Sequence, residues 1–333
     1  MMKALVLAAK NKPMTFKEVK EPLLKAGLMN VRVKAAALNH RDVWITKGLY
    51  AGLKYPIILG SDVAGVVEEV GKGVSPDWVG KEVIVNPSHN WGPDDTVQGK
   101  DYQILGMPDN GGFAEILSVQ AEYVHEKPAH LSFEQAAAIP LAGVTAWRAL
   151  VTRAAVKPGD KVLVVGIGGG VALFALQYAL AMGCEVWVTS SKPAKLKAAM
   201  ALGAKGGANY KEEKWSRKLQ ERAGLFDVII DGAGGPGFRD LVSLAGMGGR
   251  IALYGGTAGN YEGVSPQKIF WKQLSIFGST MGTPADFHNM LRFINEQKVV
   301  PMIDEVFPFE EALQAFEKME AAKQFGKLVL RMS

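Results

Sequence analysis

The sequence predicts an α/β fold in which a mostly β first part precedes a doubly wound parallel sheet. Three observations carry this expectation. Residues 1 to about 125 run in short β-type segments punctuated by Gly and Pro. From Lys161 onward, strand-like and helix-like segments alternate. A glycine-rich turn stands directly between the first of these later strands and the helix that follows.

In chain order, Ala4 to Leu7, Val31 to Ala35, Val63 to Val70 and Glu82 to Val85 read as the clearest early strands. Helix near Ser132 to Ala155 is expected to join the two domains, which should share a ligand cleft. Lys161 to Val165, Glu185 to Thr189, Asp227 to Asp231, Arg250 to Tyr254 and Ser275 to Gly278 are strand-like. The first crossover, Val171 to Met182, is apolar nearly all round, as a helix wedged between a sheet and its neighbours should be. The second, Pro193 to Leu202, carries Pro in its first turn and stops at Gly203. Helices at about Pro284 to Gln297 and Phe309 to Ala322 and a strand at Lys327 to Leu330 close the chain. The expected division is 1–125 as a catalytic domain, 126–280 as a nucleotide-binding domain and 281–333 as a segment returning to the first.

The chain has 333 residues, 48% hydrophobic and 21% charged, which is enough to bury two cores. Cys184 is the only cysteine and cannot form an intramolecular disulfide; together with the lack of a signal-like start this points to a reducing cytoplasm. No run approaches the roughly 18 apolar residues of a membrane span. The net charge of +5 is spread among acidic residues, so no nucleic-acid partner is expected. The expected partner is a small-molecule substrate.

Gly166-Ile167-Gly168-Gly169-Gly170-Val171-Ala172 sits between strand and helix. Glycines let backbone approach a pyrophosphate, and the helix N-terminus offers unpaired N–H groups. After the second strand, where an NAD enzyme usually places a carboxylate on the ribose, the chain reads Thr189-Ser190-Ser191-Lys192. A 2′-phosphate can there accept hydrogen bonds from Ser190 and Ser191 and pair with Lys192, or with Lys195 one turn later, so NADP(H) is the expected cofactor. The serines can equally cap the helix that begins at Pro193. Asp231-Gly232-Ala233-Gly234 and Tyr254-Gly255-Gly256-Thr257 place two further glycine-rich turns at strand ends; Gly255 and Thr257 are assigned to the same crevice. Tyr210 can pack on adenosine or be a surface aromatic.

The segment from Asn39 to Tyr50, followed by Gly60-Ser61-Asp62-Val63-Ala64-Gly65, resembles the signature region of medium-chain dehydrogenases. With the nucleotide site, the likeness spans nearly the whole chain. The resemblance implies a GroES-like catalytic domain, a Rossmann-type six-stranded parallel sheet, and a homodimer or homotetramer built through the nucleotide-binding domain. It also implies that Thr145, in Gly143-Val144-Thr145-Ala146-Trp147, reaches the nicotinamide.

In the zinc alcohol dehydrogenases of this superfamily, the catalytic metal is held at positions that here read Asn39, Ser61 and about Leu141, and the structural-metal lobe, about Asn86 to Asn110, has no cysteine. Neither usual zinc is therefore expected, because thiolates and imidazoles supply most of its affinity. A different metal site from His40, Asp62 and His89 is the remaining metal possibility. Asn39, Asp42, Gly48 and Tyr50 match the pattern of the zinc-free quinone oxidoreductases, as does the spacing of the glycine loop. Trp44 departs from one member type and Ala172 from the common final glycine.

Without a metal, hydrogen-bond donors must stabilise charge on the acceptor. Asn39 can donate an amide N–H, Tyr50 a phenolic proton, and His40 a proton near neutral pH. The plainer alternatives are a backbone-bonding Asn and a packed Tyr. Asp42 is expected to fix the turn, Trp44 to shape the substrate pocket or fill the core, and Asp62 to line the pocket or bond backbone. The expected activity is zinc-independent reduction of quinones or α,β-unsaturated carbonyl compounds by NADPH. The alternatives are a 2-enoyl-thioester reductase, a zinc-containing alcohol dehydrogenase-like enzyme and a non-catalytic NADPH-binding protein.

Overall fold

Leu28–Ala37 is the strand on which the first half of the chain is built. In the computed structural model, which describes residues 1–50 and 52–332, it pairs antiparallel with Asp62–Val70, with Ile116–Gln120 and with Lys327–Arg331. Its last residues, Ala35, Ala36 and Ala37, are wholly buried, and their small side chains admit neighbours on both faces. The sheet runs Val124–Glu126, Glu82–Val85, Asp62–Val70, Leu28–Ala37, Lys327–Arg331, Ile303–Pro308. A smaller sheet of Thr15–Val19, Met2–Leu7 and Ile57–Ile58 and a two-stranded pairing of Ser88–His89 with Gln103–Ile104 accompany it, around a core that includes Leu5, Met29, Leu38, Ile45 and Phe113. This unit comprises Met1–Ala142 and the chain from Thr283 onward.

Register fixes where the site forms. Ala37 lies opposite both Asp62 and Val329, and the Leu38 N–H donates to the Leu328 carbonyl at 3.0 Å. Asn39, Asp62 and Lys327, far apart in sequence, are thereby delivered to one corner of one sheet.

The second unit, Gly143–Gly282, is a parallel sheet with a nucleotide-binding topology. Its strands are β1 (Lys161–Val164), β2 (Glu185–Ser190), β3 (Gly206–Asn209), β4 (Phe226–Asp231), β5 (Ala245–Leu253) and β6 (Ser275–Gly278). They lie in the order β3-β2-β1-β4-β5-β6, all parallel. Burial of Val162–Val164 in β1 and of Val228–Ile230 in β4 explains why these strands read as apolar runs without alternation. Helix α1 (Gly170–Ala181) follows the glycine turn, and α2 (Pro193–Ala201) connects β2 to β3.

Three expectations change. The single joining helix is instead Phe133–Ala137, Pro140–Trp147 and a π-helical turn, Arg148–Arg153. Pro140 cannot donate a backbone hydrogen bond, which interrupts a continuous helix there. The segment from Phe309 splits into a short 3₁₀ turn, Phe309–Glu311, and helix Ala312–Glu320. β5 begins at Ala245, earlier than expected, because pairing of Ala245 with Phe226 across a bulge recruits glycine-rich residues that read locally as a turn. Among the described residues no helix is long and apolar enough to cross a membrane.

Gly65 shows how closely the strands of the first unit approach: a Cβ there would lie 2.2 Å from the Arg32 carbonyl oxygen, which is rigid backbone. Gly65→Ala is expected to lower unfolding free energy by about 2 kcal/mol or more in urea titrations, in line with overpacking of rigid neighbours. Unchanged stability would show that this strand pair gives way easily.

Candidate functional site

The corner of the first unit holds a connected set of buried polar groups. The Lys327 ammonium, on a side chain that is almost fully buried, donates to the Asn39 Oδ1 at 2.7 Å, the Leu38 carbonyl at 2.8 Å and the Asp62 Oδ2 at 2.8 Å. The Asn39 Nδ2 donates to the same Asp62 oxygen at 2.9 Å, and the other Asp62 oxygen accepts the Leu141 N–H at 2.7 Å. A buried charge is tolerated only when paired and hydrogen-bonded, and here Lys327 and Asp62 satisfy one another.

Asn39 also precedes the helix His40–Thr46, and its backbone N–H donates to the Asp42 carboxylate at 2.8 Å. Asp42 therefore fixes the start of this helix. Burial pushes its carboxyl up to about 6, although the neighbouring Arg41 charge and the Asn39 N–H act in the opposite direction. Arg41 is buried too. Its guanidinium donates to the Leu105 carbonyl at 2.8 Å and lies 3.4 Å from both Ser61 Oγ and Tyr50 Oη, with its centre 5.0 Å from the Tyr50 ring. Its Nη2 is buried without a hydrogen-bond partner.

Asn39, Asp62, Ser61 and Leu141 thus converge, with Tyr50 tied to the same helix through Arg41. His40 and Trp44 lie on exposed positions of that helix. Asp62 is wholly buried, with its carboxylate committed to Lys327, Asn39 and Leu141. His89 belongs to a different place: its Nε2 donates to the Asn86 carbonyl at 3.0 Å, its ring stacks on Tyr123 at 3.9 Å, and burial pushes its imidazole down to about 4. Among the described residues no group of three or more His, Cys, Asp or Glu is gathered as a metal would require, so His40, Asp62 and His89 do not form the possible metal site considered above.

At Asn39, Ser61 and Leu141, the positions that the resemblance equates with zinc ligands, no thiolate or imidazole stands, and the Lys327 ammonium already bonds to Asn39. This donor set does not fit a zinc ion, since a dication would replace an ammonium held by the same acceptors.

Sequence reasoning missed Lys327 and Arg41. The available signals were a lysine opening the strand Lys327–Arg331 just before the apolar Leu328–Leu330 and an arginine inside the signature segment.

In the second unit, Thr189 anchors the glycine turn. Its Oγ1 accepts the Gly166 N–H at 3.0 Å and its carbonyl accepts the Ile167 N–H at 2.8 Å. Gly166 and Gly168 have φ of +72° and +129°, conformations that favour glycine, and Gly169 precedes α1 with open space where a Cβ would stand. Gly170 and Val171 begin α1, whose N-terminal N–H groups suit a pyrophosphate. Lys195 lies over the turn, its Nζ 2.9 Å from where a Gly168 Cβ would be. Ser190 is buried and its Oγ accepts the Lys192 N–H at 3.2 Å, while Ser191 is half-buried, Lys192 is exposed, and no carboxylate follows β2. The Tyr210 N–H donates to the Ser190 carbonyl, which sets this partly exposed ring beside the end of β2. Gly255 approaches Gly232 closely, and Thr257 Oγ1 lies 3.5 Å from the Gly232 carbonyl, so both belong to the adjoining strand ends. Buried Thr145 has its Oγ1 3.7 Å from the Met281 sulfur. These residues fit a dinucleotide: a cradle open at Gly169 and basic side chains beside it.

Two domain models match the chain: the alcohol dehydrogenase GroES-like domain over residues 25–129 and the zinc-binding dehydrogenase domain over residues 170–296. The zinc-type alcohol dehydrogenase-like protein YogA of Leptosphaeria maculans is 37% identical, with 96% of this chain and 95% of its own covered. Acryloyl-coenzyme A reductase of Metallosphaera sedula is 30% identical, with 99% of each covered. The crystal structure of an NAD-dependent alcohol dehydrogenase superposes with a TM-score of 0.93, at 37% identity and 100% coverage of both chains.

The raised Asp42 carboxyl gives a pH-dependent test. A carboxyl whose folded pKa lies above its unfolded value favours folding below the unfolded pKa, and that contribution is lost as pH rises through the folded value, here between about 4 and about 6. In urea titrations, Asp42→Asn is expected to gain stability relative to the parent by on the order of 2 kcal/mol between pH 4 and pH 7. A stability difference that stays constant over that window would show that Asp42 is not destabilised as an anion.

Proposed function

The chain belongs to the alcohol dehydrogenase-like medium-chain dehydrogenase/reductase family and is a nicotinamide-nucleotide-dependent oxidoreductase, and from that premise we propose that it reduces activated alkenes, in α,β-unsaturated carbonyl compounds or quinones, with NADPH and without zinc. The observation that carries this reading is the Asn39 carboxamide, bonded to a buried ammonium at a position where zinc relatives hold a metal. An amide N–H suits an oxygen that gains charge during conjugate reduction; it is a poor substitute for the Lewis acid that assists removal of hydride from an alcohol.

The glycine turn, the N-terminus of α1 and Lys195 would hold the nicotinamide nucleotide, which when bound would supply a hydride to the β-carbon of the acceptor. The carbonyl oxygen, which gains the displaced π pair, would accept a hydrogen bond donated by the Asn39 Nδ2–H. One proton then completes the α-carbon, and Tyr50 is the assigned donor, with Arg41 holding its ring and oxygen. His40, exposed at the helix start, is the second proton-carrying candidate, and Trp44 on the same helix is assigned to the acceptor pocket. Thr145 is assigned to the nicotinamide side of the cofactor, and Ser190, Ser191, Lys192 and Lys195 to the 2′-phosphate. In support, Ser190 lies at the end of β2, no carboxylate follows it, and Lys195 reaches the glycine turn. Assembly as a homodimer or homotetramer is part of the same reading, supported by the edge strand β6, which among the described residues pairs only with β5, and the exposed Ile276, Phe270 and Trp271 near it in sequence.

A second reading narrows the acceptor to a 2-enoyl thioester, which the likeness to acryloyl-coenzyme A reductase favours. The test is NADPH oxidation by chelator-treated protein against quinones, enones, enoyl thioesters and simple aldehydes. Turnover of an activated alkene that survives chelation and falls at least about 10-fold in Tyr50→Phe is expected, with Lys192→Ala/Lys195→Ala raising the KM for NADPH about 10-fold and leaving NADH unaffected. Activity only on alcohols or aldehydes, restored by zinc, would overturn the proposal, and tight NADPH binding with no turnover would point to a binding protein.

A further inference from the structure

We propose that Lys327 is a positioning residue that turns Asn39 into a hydrogen-bond donor of fixed direction, and so supplies by internal charge what a metal supplies in zinc dehydrogenases. The inference rests on the reading in which Asn39 receives the acceptor oxygen.

A carboxamide has an accepting end and a donating end, and only the donating end stabilises an oxyanion. Lys327 selects between the two: an ammonium has donors alone, so the group it faces at 2.7 Å must be Oδ1. Its three N–H groups match three acceptors, Asn39 Oδ1, the Leu38 carbonyl and Asp62 Oδ2, and none is left over. A flipped Asn39 would set its NH₂ against that ammonium and lose the bond from Nδ2 to Asp62. Both neighbours therefore enforce the same orientation.

The Nδ2 then has one N–H on Asp62 and a second with no hydrogen bond among the described residues. That second N–H is the donor left for a ligand. The positive charge beside Oδ1 draws electron density through the amide and makes this N–H a stronger donor, an effect enhanced where water is excluded. Asp62 neutralises Lys327 and, held in turn by the Leu141 N–H, keeps the ammonium from swinging toward the ligand side. Proton and hydride both come from elsewhere; Lys327 moves neither.

Lys327→Met alone would strand Asp62 as an unpaired buried carboxylate, so the informative variant is Lys327→Met/Asp62→Asn, made in the parent and in Asn39→Ala. With the acceptor that turns over best, kcat is expected to fall at least about 10-fold in the pair variant and in Asn39→Ala, while NADPH affinity stays within about 2-fold. Combining the changes is expected to cost no more than about 2-fold beyond Asn39→Ala, because Lys327 acts through Asn39. Multiplied losses in the combined variant, or full kcat in the pair variant, would overturn the role of Lys327. Full kcat in Asn39→Ala would instead remove the underlying reading of Asn39. Should the pair variant fail to fold, Lys327→Gln/Asp62→Asn decides: it keeps polar partners but removes both charges and is expected to lower kcat at least about 3-fold, and full kcat with unaltered NADPH affinity would contradict the proposal.

Discussion

A lysine ammonium buried in a β unit is a demanding object. Three acceptors and one counter-charge must meet it, or the unit does not tolerate the charge. In this chain that requirement ties the last strand to the first half of the molecule. Lys327 begins the strand Lys327–Arg331, which pairs with Leu28–Ala37, which in turn pairs with Asp62–Val70. The same registers that complete the sheet supply the Leu38 carbonyl, the Asn39 side chain and the Asp62 carboxylate. Removal of either charge leaves the other uncompensated in the interior, so the pair constrains the fold as well as the chemistry of the corner.

Arg41 adds a second buried cation nearby, held by the Leu105 carbonyl, and Asp42 a second buried carboxyl, held by the Asn39 N–H. The electrostatics of this corner are therefore set by fixed side chains. In the second unit the logic is different. There the glycine turn, the strand ends and α1 offer backbone groups and a dipole, and the side chains near β2 decide which nucleotide suits them. One unit is arranged around internal charge and the other around exposed backbone.

Much of this was legible in the sequence because it is local. The parallel strands declare themselves as apolar runs, α1 by its apolar circumference, α2 by its proline and following glycine, and the nucleotide turn by glycines between a strand and a helix. Asn39 and Tyr50 were singled out through their spacing in a family-like segment. Lys327 was not, because its meaning depends on a strand pairing across 288 residues from Asn39, and no local pattern encodes such a pairing. Arg41 lay in plain view, yet surface exposure is the ordinary expectation for arginine, and only packing shows that it is buried under Tyr50. The interrupted helix after Ser132 and the early start of β5 were misread for a related reason: one proline and several glycines were weighed by local preference, while tertiary pairing decided the outcome.

The most direct test of the central claim is a crystal structure of the protein with NADP⁺ and an unreactive enone or enoyl-thioester analogue, grown in the presence of zinc. The acceptor oxygen is expected within hydrogen-bond distance of the Asn39 Nδ2, with Lys327 still bonded to Asn39 and Asp62 and no metal between them. A zinc ion at that corner with Lys327 displaced, or an acceptor oxygen bound away from Asn39, would contradict it.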